Sequence, residues 1–507
     1  MTTAGGLYAG IEHRLTIRAA DVVLADERQP LTGAELLRRV ARCAAALGSA
    51  GVVRGDRVAV QTEKSLAQVI LYLAILRCGA IYVPLNTAYR SEEVGYFLAD
   101  SEPRLLVCDP GNAAALEPLA SACGAAVLTL DGSGSGTLNE AIERAPPAVS
   151  AVTAGSSDLA TIVYTSGTTG RAKGAMLTHG NLLDNAHALI SAWDISANDV
   201  LLHALPLFHI HGLFVALNPL LLAGGRVQLL RSFDPVAVIA GFPSATLFMG
   251  VPTHYTRLLA TGALNRHNTA TIRAFICGSA PLLVQTFREF EAATGQRLIE
   301  RYGMSECGII CSNPLNGARV PGAVGLPLAG VELRIAAESG APVERGAAGM
   351  IEVRGPHVCA GYWRMPVETA AERRDDGYFR TGDIGRVDAA GYLHIVGRSK
   401  DLVITGGLNV YPKEIELLLD AMPGVEESAV IGLPHPDFGE AVAAVITRRA
   451  AAAPPDVESL LASARRQLAA FKVPKVVFVV DELPRNAMGK VQKAELRRRY
   501  ATTFAVR

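Results

Sequence analysis

Short apolar runs alternate with amphipathic helical patterns along residues 30–150 of this 507-residue chain. Helices are predicted over residues 31–51, where the pattern ends at a glycine, and over residues 65–77. The apolar runs "RVAVQT", "AIYVPL", "RLLVCDP" and "AAVLTL" are predicted as strands, the last two as buried strands. This alternation favours an α/β fold in which helices cover both faces of mostly parallel sheets.

The alternation continues through residues 201–310, where "VQLL", "ATLFMGVP", "AFICGSAP" and "RLIERYG" each end a predicted strand in a loop. Ligands of open α/β sheets bind beyond the carboxyl ends of strands, so these loops are expected to carry the chemistry. After about residue 320, glycine-rich segments predict the short antiparallel strands of a small β subdomain. We therefore predict a large N-terminal domain over residues 1–397, a hinge over 398–400 and a small α+β domain over 401–507.

Bulk properties argue against several classes of protein. The formal net charge is zero, so nucleic acid is not expected as a main partner, and the basic run at 490–500 predicts a solvated helix face. The N-terminus lacks a secretory pattern, and Arg77, Gly79 and Pro84 interrupt the most apolar run, which predicts no membrane span. The eight cysteines form no metal-binding pattern, so reduced thiols and a cytoplasmic location are expected.

The segment "YTSGTTGRAKGA" at 164–175 contains glycines, hydroxyl side chains and one lysine. It fails the Walker A spacing, because Gly170 is followed by Arg-Ala-Lys-Gly. Its hydroxyl and backbone N–H groups can still surround an anion, to which Lys173 adds charge. Taken alone, the segment is also compatible with a surface turn, or with a phosphotransferase that would release ADP.

Three further motifs follow in order: "RYGMSECG" at 301–308, "YFRTGDIGRVDAAGYLHIVGRSKD" at 378–401 and "LPRNAMGKVQK" at 483–493. With the first segment they resemble the adenylate-forming superfamily, which includes acyl-CoA synthetases, firefly luciferases and the adenylation domains of peptide synthetases. The resemblance covers essentially the whole chain. One departure is Ala172, where the superfamily usually has proline, so the loop loses stiffness but no chemical group.

The resemblance implies that a carboxylate attacks the α-phosphorus of ATP and that a thiol then displaces AMP from the acyl-adenylate. It assigns ATP binding to Thr165, Ser166, Gly167, Thr168, Thr169, Gly170, Lys173, Gly278, Ser279, Ala280, Tyr302, Gly303, Ser305, Asp383 and Arg398. Within this set, residues 165–173 would hold the β- and γ-phosphates, Tyr302 would stack on adenine and Asp383 would bind the ribose hydroxyls. Glu306 would ligate Mg²⁺, and Lys490 would bridge the substrate carboxylate and the α-phosphate. Without the resemblance, Asp383 could simply close a turn and Lys490 could be a surface lysine.

Lys490 lies in the predicted small domain, whereas the other groups lie in the large one. The resemblance therefore implies a mobile C-terminal domain that swings about Lys400 between the two half-reactions. Gly406 and Gly407 would then face the path of the thiol, where glycine allows close backbone approach. A catalytically silent binding protein of this fold would lack a lysine such as Lys490.

The acceptor thiol is expected to be coenzyme A, because no carrier-protein domain follows residue 507. An amino-acid substrate is not expected, since "LPLFHIHGLF" at 205–214 contains no acid to pair with an ammonium group. This stretch places His209 and His211 in apolar surroundings, where the resemblance assigns them to the acyl pocket. A second polar group there suits an acid with a second carboxylate, whose burial requires a partner.

The segments "LPLFHIHGLFVALNPLL", "GVPTHYTRLL" and "DLVITGGLNVYPKEIE" resemble malonyl-CoA synthetases most, which implies malonate and methylmalonate as substrates. By that similarity, Arg257, on a turn after "VPTHY", would bind the distal carboxylate, assisted by His211 and Ser279, with Met304 also in the pocket. Arg273 is a second candidate cation or a structural ion pair. A medium-chain fatty or aryl acid remains the alternative substrate, and Cys307 stands where the family more often has threonine. A monomer or homodimer is expected.

Overall fold

The structure is a computed structural model that describes residues 5–146, 151–165, 172–405, 408–449, 456–486 and 489–504. Its larger sheet has nine strands, of which the six from Ile299–Met304 to Val22–Ala25 run parallel. In spatial order the strands are Leu326–Pro327, Gly308–Ser312, Ile299–Met304, Ala274–Cys277, Leu247–Gly250, Val200–His203, Arg226–Leu229, Val22–Ala25 and Pro30–Thr32. The four strands predicted in residues 201–310 are thus confirmed, and they lie in one sheet.

A second sheet has seven strands, in the order Gly361–Tyr362, Lys173–Thr178, Leu159–Thr165, Ile81–Pro84, Arg57–Gln61, Leu105–Cys108 and Ala126–Thr129. The last five of these are parallel. The prediction that "AAVLTL" forms a buried strand is wrong about burial: Ala126–Thr129 is the edge strand, and none of its residues is buried. An edge strand has a neighbour on one side only, so an apolar run there stays partly exposed.

Helices cover both faces of these sheets, as the alternation predicted. Along strand Arg57–Gln61, Val58 and Val60 pack into a core shared by the two sheets, and Ala59 packs into a separate core on the opposite face. The α-helices are Leu7–Ile17, Gly33–Ser49, Leu66–Arg77, Ser91–Ser101, Pro110–Ala122, Thr137–Arg144, His179–Ala192, Asn218–Ala223, Pro235–Gly241, Pro252–Ala260, Val284–Thr294, Pro366–Ala371, Pro412–Asp420, Val457–Gln467 and Lys493–Arg499, and a π-helix spans His211–Leu217.

The most apolar run of the sequence forms the helix Leu66–Arg77 and the strand Ile81–Pro84. Ten of the twelve residues of that helix are buried, which explains why its sequence is apolar on every side. Within the described residues, no helix has the length and apolar character that crossing a membrane requires.

The later part of the chain forms two smaller sheets. The first is a four-stranded antiparallel sheet of Glu332–Ala336, Gly349–Arg354, Phe379–Val387 and Leu393–Arg398, which matches the predicted β subdomain. The second contains the strands Leu408–Val410, Val403–Thr405, Gly439–Arg448, Val425–His435 and Val476–Val480. With the last three helices it forms an α+β unit, and the basic helix Lys493–Arg499 buries only Leu496, as predicted.

Gly325 lies where the nine-stranded sheet meets the four-stranded sheet, because it forms an isolated β-bridge with Leu393. Its φ is +95°, and a Cβ added there would lie 1.9 Å from the carbonyl carbon of Ser312. Gly346 has a similar φ of +90°, but an added Cβ would meet nothing within 4 Å. We expect Gly346→Ala to cost only the backbone strain of about 1 kcal/mol, and Gly325→Ala to cost about 1–3 kcal/mol more through overpacking.

The measurement is the midpoint of thermal unfolding of the two variants by differential scanning calorimetry. Equal decreases in the two variants would show that no close approach occurs at Gly325.

Candidate active site

The predicted functional residues converge beyond the carboxyl ends of parallel strands. Thr165 ends one strand of the seven-stranded sheet, and residues 278–280 and Glu306 directly follow two neighbouring strands of the nine-stranded sheet. His209 lies in the loop after strand Val200–His203. Contacts link these loops, because Thr165 hydrogen-bonds to Glu306 and Ser279 lies 3.1 Å from His211.

Glu306 lies beside Thr165, the first residue of the predicted phosphate-binding loop. It is buried, and its Oε1 accepts hydrogen bonds from the hydroxyls of Thr165 at 3.3 Å and Tyr362 at 3.2 Å. Burial raises the pKa of Glu306 above its ordinary value, which the two hydroxyls oppose. Such a partly desolvated carboxylate suits a hard cation that takes few protein ligands. The predicted phosphate-binding residues Ser166, Gly167, Thr168, Thr169 and Gly170 lie outside the described residues.

Lys173 lies on the other side of Tyr362. Its ammonium group is 4.8 Å from the centroid of the Tyr362 ring and 3.5 Å from Oε1 of Glu372. The lysine side chain is only 9% exposed, so these contacts hold its charge in place beside the loop. The sequence motifs did not point to Tyr362 or Glu372, which come from a segment about 190 residues later.

Asp383, predicted to bind the ribose hydroxyls, joins three strands. Its carboxylate accepts a hydrogen bond of 2.7 Å from the hydroxyl of Tyr302. It also forms an ion pair with Arg398, whose Nε lies 2.9 Å away. The predicted strand pair is confirmed, because Asp383 and Arg398 are cross-strand neighbours. Gly303 and Ser305 are half-buried beside Tyr302, and Gly303 approaches the carbonyl oxygen of Gly308 so closely that only glycine fits.

Arg301, Ser279 and His211 form a buried row of polar contacts that includes two of the predicted acyl-pocket residues. Nη2 of Arg301 donates to Oγ of Ser279 at 3.2 Å, and that hydroxyl lies 3.1 Å from Nδ1 of His211. Ser279 has a φ of +74°, a strained conformation for a residue with a side chain, and strain of this kind clusters at functional sites. Gly278 makes room for the guanidinium, since an added Cβ would lie 2.6 Å from Cζ of Arg301.

The hydrogen bonds among Arg301, Ser279 and His211 determine which of their N–H groups have no acceptor. Because the hydroxyl of Ser279 already accepts from Arg301, its proton can go to Nδ1 of His211, which leaves Nε2–H of His211 as a donor. Nε2 of His211 and Nε of Arg301 are both buried, and neither has a hydrogen-bond partner among the described residues. Two unpartnered buried donors are costly unless a ligand accepts from them.

Burial also sets the charges of the pocket. It lowers the pKa of His209 to about 4 and that of His211 well below its ordinary value, with Arg301 adding to both effects. Both imidazoles are therefore neutral at pH 7. Burial lowers the pKa of Arg301 to about 10, so the guanidinium keeps its charge. No described acidic side chain pairs with it.

The other predicted cations differ from Arg301. Arg257 is exposed and lies in the last turn of helix Pro252–Ala260. The turn predicted after "VPTHY" is thus part of this helix. Arg273 forms a two-contact ion pair with Asp199 at 2.7 and 2.8 Å, so its structural interpretation holds. Met304 is half-buried against the apolar cluster around Tyr302. The motif "RYGMSE" predicted roles for the neighbours of Arg301 but none for Arg301 itself. An arginine within a predicted buried strand is unusual, and this position could have indicated a functional role.

Lys490 reaches this site from the C-terminal unit. It follows Gly489 on a turn with a φ of +73°, as predicted, and is half-buried. Burial and, second to it, the nearby charge of Arg398 lower the pKa of Lys490 to about 8. Lys400 lies exposed in the short turn Ser399–Asp401 between the two later sheets, whereas Gly406 and Gly407 lie outside the described residues.

Comparisons agree with this architecture. The profile described as AMP-binding enzyme matches residues 11–363, and the profile described as AMP-binding enzyme C-terminal domain matches residues 414–490. A feruloyl-CoA synthase of an Amycolatopsis species is 39% identical over 93% of this chain and 94% of its own. The mitochondrial malonate–CoA ligase ACSF3 of Mus musculus is 37% identical over 88% of this chain and 82% of its own. The crystal structure of ATP-bound MatB from Rhodopseudomonas palustris has a TM-score of 0.95 and 50% identity, and the match covers 98% of this chain and 99% of that one.

The unpaired state of Arg301 predicts an unusual effect on stability. Replacing a whole buried ion pair by apolar side chains of similar volume is often neutral or stabilising by about 1–4 kcal/mol, and a buried charge without an acidic partner has still less to lose. Removing one partner of a buried ion pair, in contrast, costs about 3–5 kcal/mol. We therefore expect Arg301→Met to keep or raise the midpoint of thermal unfolding and Arg273→Met to lower it.

Calorimetry of the two variants without ligands measures this difference. A larger decrease for Arg301→Met than for Arg273→Met would contradict an unpaired Arg301.

Proposed function

Because the chain belongs to the AMP-binding enzyme family and is an acid–CoA ligase of the adenylate-forming superfamily, we propose that its acid is malonate, with methylmalonate also accepted. The products are the CoA thioester, AMP and pyrophosphate. The observation that carries the proposal is the pair of buried donors, Nε of Arg301 and Nε2 of His211, that lack a partner among the described residues.

A second carboxylate on the substrate would neutralise the charge of Arg301 and accept hydrogen bonds from the two unpartnered donors. An ionised carboxylate accepts several hydrogen bonds and neutralises one positive charge, so it can bind Arg301 and His211 together. Burying such a carboxylate without a cation would cost several kcal/mol, in the range of about 3–5 kcal/mol for a broken buried pair. The requirement is mutual, because the guanidinium and the distal carboxylate each need the other when buried.

An aryl acid is the second candidate, because the feruloyl-CoA synthase is 39% identical to this chain. An aryl tail of that kind carries no full negative charge for Arg301. Its ring could stack on the guanidinium, but a cation–π contact contributes about 0.5–2 kcal/mol, less than a buried ion pair. The charge of Arg301 therefore favours malonate.

In the first half-reaction, an oxygen of the reacting carboxylate attacks the α-phosphorus of ATP and pyrophosphate leaves. Two anions must approach each other, so neutralisation of charge is the main task. Thr165 and Lys173 bind the departing phosphates, Asp383 binds the ribose hydroxyls with Arg398 beside it, and Lys490 holds the reacting carboxylate against the α-phosphate. Glu306 would hold Mg²⁺, which supplies further positive charge at the phosphates.

In the second half-reaction, the sulfur of coenzyme A attacks the acyl carbon and AMP leaves. Lys490 has no task in this step and occupies space near the acyl group. A rotation of the C-terminal domain about residues 398–400, with Lys400 at the hinge, would withdraw Lys490 and bring Gly406 and Gly407 to the path of the thiol.

The role of Arg301 is tested with butyrate, which keeps the reacting carboxylate but lacks the distal carboxylate of malonate. Arg301→Met is expected to lower kcat/KM for malonate by about 30- to 1000-fold, the cost of removing one partner of a buried charge pair. The same variant should accept butyrate as well as or better than the native enzyme does, since the pocket becomes apolar.

AMP release from each acid measures both values, and Arg257→Ala is the matched control for an exposed arginine of the same region. An Arg301→Met variant that activates malonate at the native rate would contradict the proposal. A loss confined to Arg257→Ala would assign the distal carboxylate to Arg257 instead.

The pKa of Lys490 predicts how adenylation depends on pH. The ammonium form, which neutralises the carboxylate and phosphate, prevails below about pH 8 and is lost above it. The rate of pyrophosphate release without coenzyme A should therefore fall as the pH rises through 8. Arginine stays protonated, so Lys490→Arg should show a lower rate without this fall.

Single-turnover pyrophosphate release from about pH 6.5 to about pH 9.5 measures both profiles. A rate that stays constant over this range in the native enzyme would exclude the charged Lys490 from the step.

A further inference from the structure

The turn that carries Lys490 is closed by hydrogen bonds of its own. The backbone N–H of Asn486 donates to the carbonyl oxygen of Lys490 at 2.9 Å, and the N–H of Lys490 donates to Oδ1 of Asn486 at 3.0 Å. The N–H of Gly489 donates to the carbonyl oxygen of Asn486 at 2.8 Å. The backbone of Lys490 is thus fixed to the turn, and the position of the turn decides where the lysine lies.

Arg485 connects this turn to the sheet of the C-terminal unit. Its Nη1 donates to the carbonyl oxygen of Gly489 at 2.7 Å, and its Nη2 forms an ion pair with Glu427 on strand Val425–His435. One guanidinium therefore holds the turn and the sheet at once, by two different nitrogens. The side chains of Glu427 and Arg485 are only 25% and 32% exposed, so solvent screens the pair less than it screens a surface pair.

The opposite side of the turn rests on the N-terminal domain. An added Cβ at Gly489 would lie 2.8 Å from Oγ1 of Thr253, on helix Pro252–Ala260. The turn is thus enclosed between this helix and the Glu427–Arg485 pair. A shift of the turn on either side would move Lys490 relative to the reacting carboxylate.

We infer that Glu427, acting through Arg485, is a positioning residue for Lys490 in adenylation. The inference rests on the proposed function, which places Lys490 at the reacting carboxylate. A catalytic group displaced by about 1 Å can lose about 100-fold in rate, although its chemistry is intact. The second half-reaction does not use Lys490, so loss of the pair should affect the two half-reactions unequally.

Glu427→Gln keeps the size of the side chain and removes its charge. We expect it to lower the rate constant of pyrophosphate release without coenzyme A by about 10- to 100-fold, with the KM for ATP changed by less than about twofold. Formation of the thioester from supplied acyl-adenylate and coenzyme A should stay within about twofold of the native rate. Arg485→Met should behave like Glu427→Gln, and Arg485→Lys should recover part of the rate because it keeps the charge.

Glu414→Gln is the matched control, because Glu414 pairs with Lys472 at 2.8 Å in the same domain, and no hydrogen bond or ion pair among the described residues links it to the turn. It should leave both half-reactions unchanged. Adenylation by Glu427→Gln at the rate of Glu414→Gln would overturn the inference, and so would an equal loss in both half-reactions, which indicates general damage to the domain.

Lys490→Ala, measured in parallel, separates this inference from the proposed function. Adenylation at the native rate by Lys490→Ala would refute the role of the lysine itself. Loss of adenylation in Lys490→Ala together with its retention in Glu427→Gln would refute only the positioning role.

Discussion

One guanidinium, that of Arg301, is buried without a carboxylate partner among the described residues. Arg301 is 5% exposed, lies against Gly278 and donates to Ser279, and no described acid neutralises it. A charge in this state destabilises the free protein, so its presence is explained by an anion that arrives with the substrate. The neutral imidazole of His211 extends the same requirement, since its Nε2 is buried and unpartnered. In the proposed function, the pocket selects its acid through these two unpartnered donors of Arg301 and His211.

The C-terminal unit contributes a second cation, Lys490, whose position depends on contacts of the turn that carries it. Lys490 lies on a turn between the Glu427–Arg485 pair and helix Pro252–Ala260, the helix that also carries Arg257. Arg301, the cation proposed to select the acid, lies on strand Ile299–Met304 of the nine-stranded sheet, whereas Lys490, the cation proposed to activate the acid, belongs to the C-terminal unit. Such a division lets one domain hold the acid while the other moves.

Local patterns predicted most of the fold and indicated which loops carry the candidate site. The strand and helix alternation indicated parallel sheets with strand-end loops at one edge, and the spacing of Asp383 and Arg398 indicated a strand pair. The sequence did not reveal that Arg273 pairs with Asp199 while Arg301 pairs with no acid, because ion pairs form between residues far apart in the chain. The same holds for Glu427 and Arg485, which are 58 residues apart. The edge position of strand Ala126–Thr129 likewise depends on sheet order, which apolarity does not encode.

The choice of acid by the native enzyme tests the central claim most directly. Malonate and ferulate, each with ATP and coenzyme A, would compete at equal concentration, and the two CoA thioesters would be quantified by mass spectrometry. We expect a ratio of kcat/KM above about 100 in favour of malonate, since leaving a buried charge without its partner costs about 3–5 kcal/mol. Preferential formation of feruloyl-CoA would contradict it.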